Sequence, residues 1–215
     1  SAYASAYDPH VWFDVALWSQ VAERVGQTLA RLDTAQATAY RRRTDAYVQR
    51  LDSLDRYVAQ QIERIPEAQR VLITSHDAFR YLSRAYDMDV RGLQGISTTS
   101  EAGTRDVQAV ADVVADRKSP ALFVESSVSP RGIRAVQKAV EARGFQVTVG
   151  GTLYGDALGD PGSPTGTYVG AVRHNIDAIV SGLLSPSAPT ATAPPSSGGS
   201  FGAPVPLQES QANAK

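Results

Sequence analysis

One stretch of the sequence, VLITSHDAFRYL at residues 71–82, decides how the rest of the chain is interpreted. Its first four residues have the composition of a strand. The chain then turns at residues 75–76 and restarts at Asp77 as an amphipathic helix. We therefore predict that His76 lies at the carboxyl end of a parallel strand, which is the edge where open α/β sheets bind ligands.

Strand-like and helix-like segments alternate throughout the region after Pro66. We predict strands at residues 71–74, 90–93, 121–124 and 146–149. We predict helices at residues 77–86, 104–117, 130–143 and 167–184. Such alternation is typical of an α/β fold with a mostly parallel sheet and helices on both faces.

Two helices are predicted before this region. The first follows Asp14, a good N-cap, and carries apolar residues at three- and four-residue steps up to Leu32. The second lies within residues 33–66, spans about 31 residues and would be about 46 Å long. A coiled-coil segment and a structural spine between two lobes both fit that length. The single short apolar stripe favours the spine.

The composition argues against several classes of protein. With 21 basic and 22 acidic residues, the net charge is −1 and gives no reason to expect nucleic acid or an anionic membrane as partner. Cysteine is missing, so a bound metal would have nitrogen and oxygen ligands. This absence is also consistent with export. The sequence has no apolar run of about 18 residues, and we predict no membrane-spanning segment.

The two ends of the chain differ from the middle. The chain begins at Ser1 without a charged-then-apolar signal segment, and we expect a processed product or a fragment of a longer chain. Residues 185–215 hold six of the 12 prolines and only two charged side chains. We predict that this tail is disordered, because it cannot bury enough apolar surface to offset its ordering entropy.

Three residues predicted in loops could share a metal ion. His10, His76 and Asp156 offer imidazole nitrogen and carboxylate oxygen, which suit Zn²⁺ or Mn²⁺. They lie 66 and 80 residues apart, so they do not form a local motif such as H-E-x-x-H. Each also has a structural explanation: His10 could help to cap a helix, His76 could make a local hydrogen bond, and Asp156 could be an ordinary turn residue.

Other polar residues are further candidates for a functional site. Glu125 follows the strand at residues 121–124, where it could bind a metal directly or orient a ligating histidine from behind. His174 lies off the apolar side of the last helix and is predicted to be partly exposed. The Ser-His-Asp run at residues 75–77 does not predict a hydrolase triad, because neighbours on a turn point apart and no G-x-S-x-G elbow is present.

Five motifs in a fixed order carry a resemblance to a known family. They are DPHVW (8–12), TSHDAFRY (74–81), GLQGIST (92–98), FVESS (123–127) and LYGDA (153–157). Together they resemble the TroA-like and ZnuA-like zinc/manganese solute-binding proteins of bacterial ABC importers. The resemblance covers roughly residues 8–184.

This resemblance implies a two-lobed architecture joined by one long backbone helix, with the metal between the lobes. Residues 1–32 would be a remnant of a largely absent first lobe, residues 33–66 the backbone helix and residues 67–184 the metal-binding lobe. By the resemblance, the metal ligands are His10, His76 and Asp156, with Glu125 as a possible partner of a ligating histidine.

The family's fourth ligand, a histidine of the first lobe, has no match in this sequence. A closed zinc site prefers four ligands, so we expect this chain alone to bind metal weakly. A histidine at position 76 is compatible with zinc or manganese as the bound metal.

The function implied by the resemblance is capture of zinc or manganese for delivery to an ABC permease. The receptor would be extracytoplasmic, in the periplasm or lipid-anchored at the cell surface, and we expect a monomer without enzymatic activity. A metal-dependent hydrolase or lyase that uses the same three residues is the alternative. Some members of the family carry an adhesion label, which nothing in this sequence supports independently.

Overall fold

The computed structural model describes residues 7–98 and 101–185 of the chain. Its helices are, in chain order, α1 (Val15–Leu32), α2 (Ala37–Glu63), α3 (Arg80–Tyr86), α4 (Thr104–Arg117), α5 (Arg131–Glu141) and α6 (Tyr168–Leu184). Its strands are β1 (Val71–His76), β2 (Asp89–Gln94), β3 (Ala121–Glu125) and β4 (Thr148–Leu153). Short 3-10 turns lie at Val11–Phe13, Thr34–Gln36 and Glu67–Gln69.

All the strand pairs are parallel in the part of the chain described. Strand β1 pairs with β2, and β3 pairs with β4. These pairs are two separate two-stranded sheets, and β1 lies next to β3, so β1 and β3 are the central strands. Their carboxyl ends meet at one edge, where His76 ends β1 and Glu125 ends β3. The predicted α/β class with parallel strands is confirmed.

Alternate residues of the two central strands point to opposite faces and create two cores. Leu72 and Phe123 pack into a cluster with buried residues of α2 and α6. Val71, Ile73 and Leu122 pack into a second cluster with residues of α4 and α5. Helices therefore cover both faces, as the alternating sequence pattern predicted.

Helix α2 is the longest helix of the described chain. It has 27 residues and is therefore about 40 Å long. It is shorter than predicted because residues 34–36 form a 3-10 turn, in which the Asp33 side chain accepts a hydrogen bond from Gln36 N–H. Its predicted apolar side is buried at Leu51, Leu54, Val58 and Ile62. Helix α2 packs against α1 and α6.

Helix α1 has an apolar side that is only partly covered. Asp14 caps it as predicted, accepting a hydrogen bond from Leu17 N–H at 3.0 Å. Beyond the first turns, four apolar residues of the predicted stripe are exposed by 37 to 80% of their surface: Val21, Val25, Leu29 and Leu32. The amphipathic pattern thus predicted the helix correctly, but this part of its apolar side is not buried by the described residues.

The predicted strand at residues 71–74 ends two residues too early. His76 belongs to β1, because it pairs with Gln94 of β2 and its N–H donates to Glu125 Oε1 at 2.9 Å. A turn follows, in which Ala78 N–H donates to the His76 carbonyl at 3.0 Å. Helix α3 consequently begins at Arg80, three residues later than predicted.

The predicted strand at residues 146–149 is also misplaced, since β4 runs from Thr148 to Leu153. Two adjacent glycines look like a turn, yet they lie inside the strand. A Cβ on Gly150 would lie only 2.8 Å from a ring carbon of Phe123 and 3.1 Å from the Cβ of Ala121. The glycine therefore allows the large Phe123 ring of β3 to pack closely against β4.

The sequence predicted no membrane-spanning segment and a disordered tail. Within residues 7–98 and 101–185, the structure has no helix with the length and apolar character needed to cross a bilayer. The predicted disorder of the tail falls almost entirely on residues 186–215, which lie outside the described residues.

Candidate metal centre

The three residues proposed from the sequence converge at the carboxyl edge of the strands. His10 precedes the first 3-10 turn, His76 ends β1, and Asp156 lies in the loop after β4. One ligand atom from each lies within 4.8 Å of the others, an arrangement that could hold a metal ion. Both imidazoles are buried, whereas 39% of the Asp156 side chain is exposed. The group is therefore open to solvent on the carboxylate side.

Both imidazoles present the same atom to the carboxylate. His10 Nε2 lies 3.3 Å from Asp156 Oδ1, and His76 Nε2 lies 3.4 Å from Asp156 Oδ2. The two imidazole rings are 5.4 Å apart between centroids and nearly perpendicular. Tetrahedral zinc with bonds of about 2.0–2.1 Å places its ligand atoms about 3.3 Å apart. Each nitrogen–oxygen separation is close to that spacing, with the two nitrogens facing different oxygens of the same carboxylate.

Glu125 holds the other side of the His76 ring. Its Oε1 accepts the His76 backbone N–H at 2.9 Å, and its Oε2 lies 2.8 Å from Nδ1 of the same residue. Both side chains are fully buried. A carboxylate on Nδ1 keeps the proton there and leaves the lone pair of Nε2 directed at Asp156.

Asp8 makes the equivalent contacts with His10. Its Oδ1 accepts the His10 backbone N–H at 3.0 Å and lies 2.6 Å from the ring Nδ1. We did not assign this role from the sequence. The available signal was an aspartate two residues before the histidine, a spacing at which the side chain bonds the backbone locally. The centre thus consists of two carboxylate–imidazole pairs that converge on a third carboxylate.

Opposing effects act on the pKa of His76. Burial lowers this pKa, whereas the hydrogen bond and negative charge of Glu125, followed by the charges of Asp156 and Asp77, raise it. The net result is a pKa above the ordinary value for histidine. The same surrounding carboxylates that stabilise a proton would also stabilise a bound metal cation.

Trp12 connects the segment of His10 to the loop of Asp156. Its indole N–H donates to the Gly155 carbonyl at 3.1 Å, and Tyr168 O–H donates to the Trp12 carbonyl at 2.7 Å. Gly155 also has little room for a side chain, because a Cβ there would collide with a carboxylate oxygen of Glu125.

The remaining candidates from the sequence lie apart from this group. His174 Nε2 lies 3.0 Å from the Thr152 carbonyl, and His174 is not among the three clustered residues. Ser75 and His76 are successive residues of β1 and therefore project to opposite faces. Asp77 pairs with Arg80. The Ser-His-Asp run therefore does not form a triad.

Comparison with known proteins places this α/β chain in a class of metal-uptake proteins. Residues 2–182 match the model of the ZnuA family, described as zinc-uptake complex component A, periplasmic. The chain belongs to this family. The resemblance inferred from the five motifs is thereby confirmed.

Individual relatives include proteins named for different metals. The chain is 50% identical over 177 residues to the zinc-binding protein TroA of Treponema pallidum. It is 42% identical over 177 residues to the manganese-binding lipoprotein MntA of Bacillus subtilis. In both cases the match covers 82% of this chain and 58% of the relative, so the chain spans little more than half the length of these relatives.

The fold also matches solved structures. The structure described as the periplasmic zinc-binding protein TroA from Treponema pallidum superposes with a TM-score of 0.81 at 49% identity. That match covers 85% of this chain and 66% of the other. The alternative of a metal-dependent hydrolase or lyase receives no support from these similarities.

Proposed function

We propose that this chain is part of an extracytoplasmic receptor that captures zinc or manganese and delivers it to an ABC permease. His10, His76 and Asp156 bind the metal, which is the cargo of the receptor. One observation carries the proposal: two buried imidazoles, each held by a carboxylate at Nδ1, present their Nε2 atoms to the same aspartate. Relatives named for zinc and for manganese support either ion.

The arrangement suits reversible capture of a metal better than catalysis. The two imidazoles are buried and held in orientation, whereas Asp156 is partly exposed and offers the ion a route in and out. Membership of a family of metal-uptake proteins favours a binding role over an enzymatic one. The receptor acts in the periplasm or at the cell surface, where a lipid anchor is one means of attachment, and it acts as a monomer.

We propose the same division of the chain as the sequence predicts. Residues 1–32 belong to a first lobe, residues 33–66 with α2 form the spine, and residues 67–184 form the lobe that carries His76 and Asp156. The exposed apolar side of α1 supports this division, because a further part of the first lobe would cover it. With His10 as the first lobe's only ligand in this chain, we expect weak binding.

Calorimetric titration with Zn²⁺ and with Mn²⁺ tests the proposal. His76→Ala should weaken binding of the preferred ion at least about tenfold, because it removes a ligand. His174→Ala removes the one histidine outside the group and is the matched control; its ring packs against Tyr154 rather than against a proposed ligand, so binding should change by less than about twofold. Tight binding that survives His76→Ala, or an equal loss in both variants, would refute the site.

A further inference from the structure

Asn175 is a buried amide on the apolar side of α6, the helix that packs against β4. Only 2% of its surface is exposed, and its helix neighbours Val172, Ile176 and Ile179 belong to the core. A buried amide without partners costs about 1–3 kcal/mol, so the bonds that it makes show what it does.

Both polar atoms of the Asn175 side chain bond to one residue, Tyr154. Tyr154 N–H donates to Asn175 Oδ1 at 2.8 Å, and Asn175 Nδ2 donates to the Tyr154 carbonyl at 2.8 Å. A neighbouring strand would engage a residue through the same two groups. Because β4 ends at Leu153, Asn175 extends this hydrogen bonding one residue beyond the strand.

Asp156 lies two residues after this clamped position. Among the described residues, its carboxylate pairs with the two imidazoles, His10 and His76, and with no other side chain. The position of the carboxylate therefore depends on the backbone that leads into it. Three hydrogen bonds hold that backbone: Ser126 N–H donates to the Leu153 carbonyl at 2.9 Å, Asn175 clamps Tyr154, and Trp12 donates to the Gly155 carbonyl. Of these, only the Asn175 clamp engages both the N–H and the carbonyl of one residue.

We propose that Asn175 is a positioning residue for metal binding: its amide fixes the Tyr154 backbone so that the Asp156 carboxylate meets both Nε2 atoms. This inference rests on the proposed function, since it assumes that Asp156 is a metal ligand. Asn175 itself does not contact the metal and acts through Asp156.

A purely structural role would give a different result from a positioning role. Gln137 provides the comparison, because its Nε2 on α5 donates to the Val147 carbonyl at 2.9 Å, just before β4. That bond also joins a helix side chain to the backbone beside β4, but it lies at the opposite end of the strand from Asp156. Gln137→Leu should lower the melting temperature and leave metal affinity unchanged.

The test is a double-mutant cycle on metal affinity, measured by calorimetry with Zn²⁺ and Mn²⁺. Asn175→Leu keeps the branched shape of the side chain, with a larger volume, and removes both bonds, and we expect about tenfold weaker binding. In an Asp156→Ala background the same substitution should change affinity by less than about twofold, because its effect passes through the missing carboxylate. Asn175→Asp keeps the acceptor for Tyr154 N–H but sets an oxygen against the Tyr154 carbonyl, so at least about threefold weaker binding is expected if the leucine variant does not fold.

The outcomes separate this inference from the proposed function. Wild-type affinity in a folded Asn175→Leu variant would overturn the inference, and so would an equal loss with and without Asp156. For Asn175→Asp, metal affinity equal to wild type would also overturn the inference. The same holds if this variant loses as much affinity in the Asp156→Ala background as it does alone. If the unsubstituted chain binds neither ion, or if His76→Ala binds as tightly as the unsubstituted chain, the proposed function itself fails.

Discussion

Replacing Glu125 by glutamine should weaken metal binding while leaving the ligands in place. The Glu125 carboxylate contacts two groups of His76: Oε1 accepts a hydrogen bond from the backbone N–H at 2.9 Å, and Oε2 lies 2.8 Å from Nδ1. An amide has one oxygen and one NH₂ group and can accept from only one of them. If the oxygen keeps the backbone N–H, the NH₂ group faces Nδ1.

The size of the effect follows from this conflict. An NH₂ group that donates to Nδ1 leaves the imidazole proton on Nε2, the atom proposed to bind the metal. Binding then requires the other tautomer, in which Nδ1–H faces a donor, and such a buried mismatch costs about 1–3 kcal/mol. At about 1.4 kcal/mol per tenfold, the dissociation constant should rise between about fivefold and 150-fold.

Calorimetric titration with Zn²⁺ near neutral pH measures this change, and thermal unfolding shows whether the variant is folded. Glu141→Gln is the matched control, because Glu141 is an exposed glutamate at the end of α5. It should bind as the unsubstituted chain does. If Glu125→Gln is folded and its affinity stays within about twofold of wild type, Glu125 does not orient His76 and the reasoning fails.

Two further predictions concern the tight packing at Gly155 and the pH dependence of stability. Gly155→Ala should weaken metal binding about tenfold or more, because its Cβ would collide with Glu125 and displace the loop of Asp156; affinity equal to wild type in calorimetry would contradict this. Burial, followed by the hydrogen bond to Asp55, raises the pKa of Tyr86 in the folded protein. The neutral tyrosine therefore stabilises the fold below about pH 10, the pKa of tyrosine in the unfolded chain. This stabilisation is lost as the pH rises above that value. Urea unfolding between about pH 9 and 11, on either side of that value, measures the fall of the free energy of unfolding with pH. Tyr86→Phe should make this fall smaller by up to about 1.4 kcal/mol per pH unit. An equal fall in the variant and the unsubstituted chain would show that Tyr86 does not contribute.

Local sequence patterns predicted most of the secondary structure. The helix at residues 104–117 has the predicted bounds, and Asp14 caps α1 as expected. These features depend on residues within a few positions of each other, such as a capping side chain or an apolar residue on every helical turn. One error involves a distant residue: Gly150 lies in β4, where its lack of a side chain leaves room for the ring of Phe123.

The candidate site was only partly visible in the sequence. His10, His76 and Asp156 could be named from their motifs, but each alone had an ordinary structural explanation. The contributions of Asp8 and Asn175 were not predicted. Asp8 acts through a local bond to His10, whereas Asn175 acts across 21 residues and has no recognisable motif.

Periodicity and composition were enough to predict the α/β class, the parallel arrangement and the residue types available to a metal, because both act locally along the chain. Only the tertiary structure brought together three side chains separated by 66 and 80 residues and turned both Nε2 atoms toward one carboxylate. That convergence depends on parallel strands that end at a shared edge and on a carboxylate behind each ring. Pairing between distant segments is set by packing and hydrogen bonding across the fold, which no local pattern encodes.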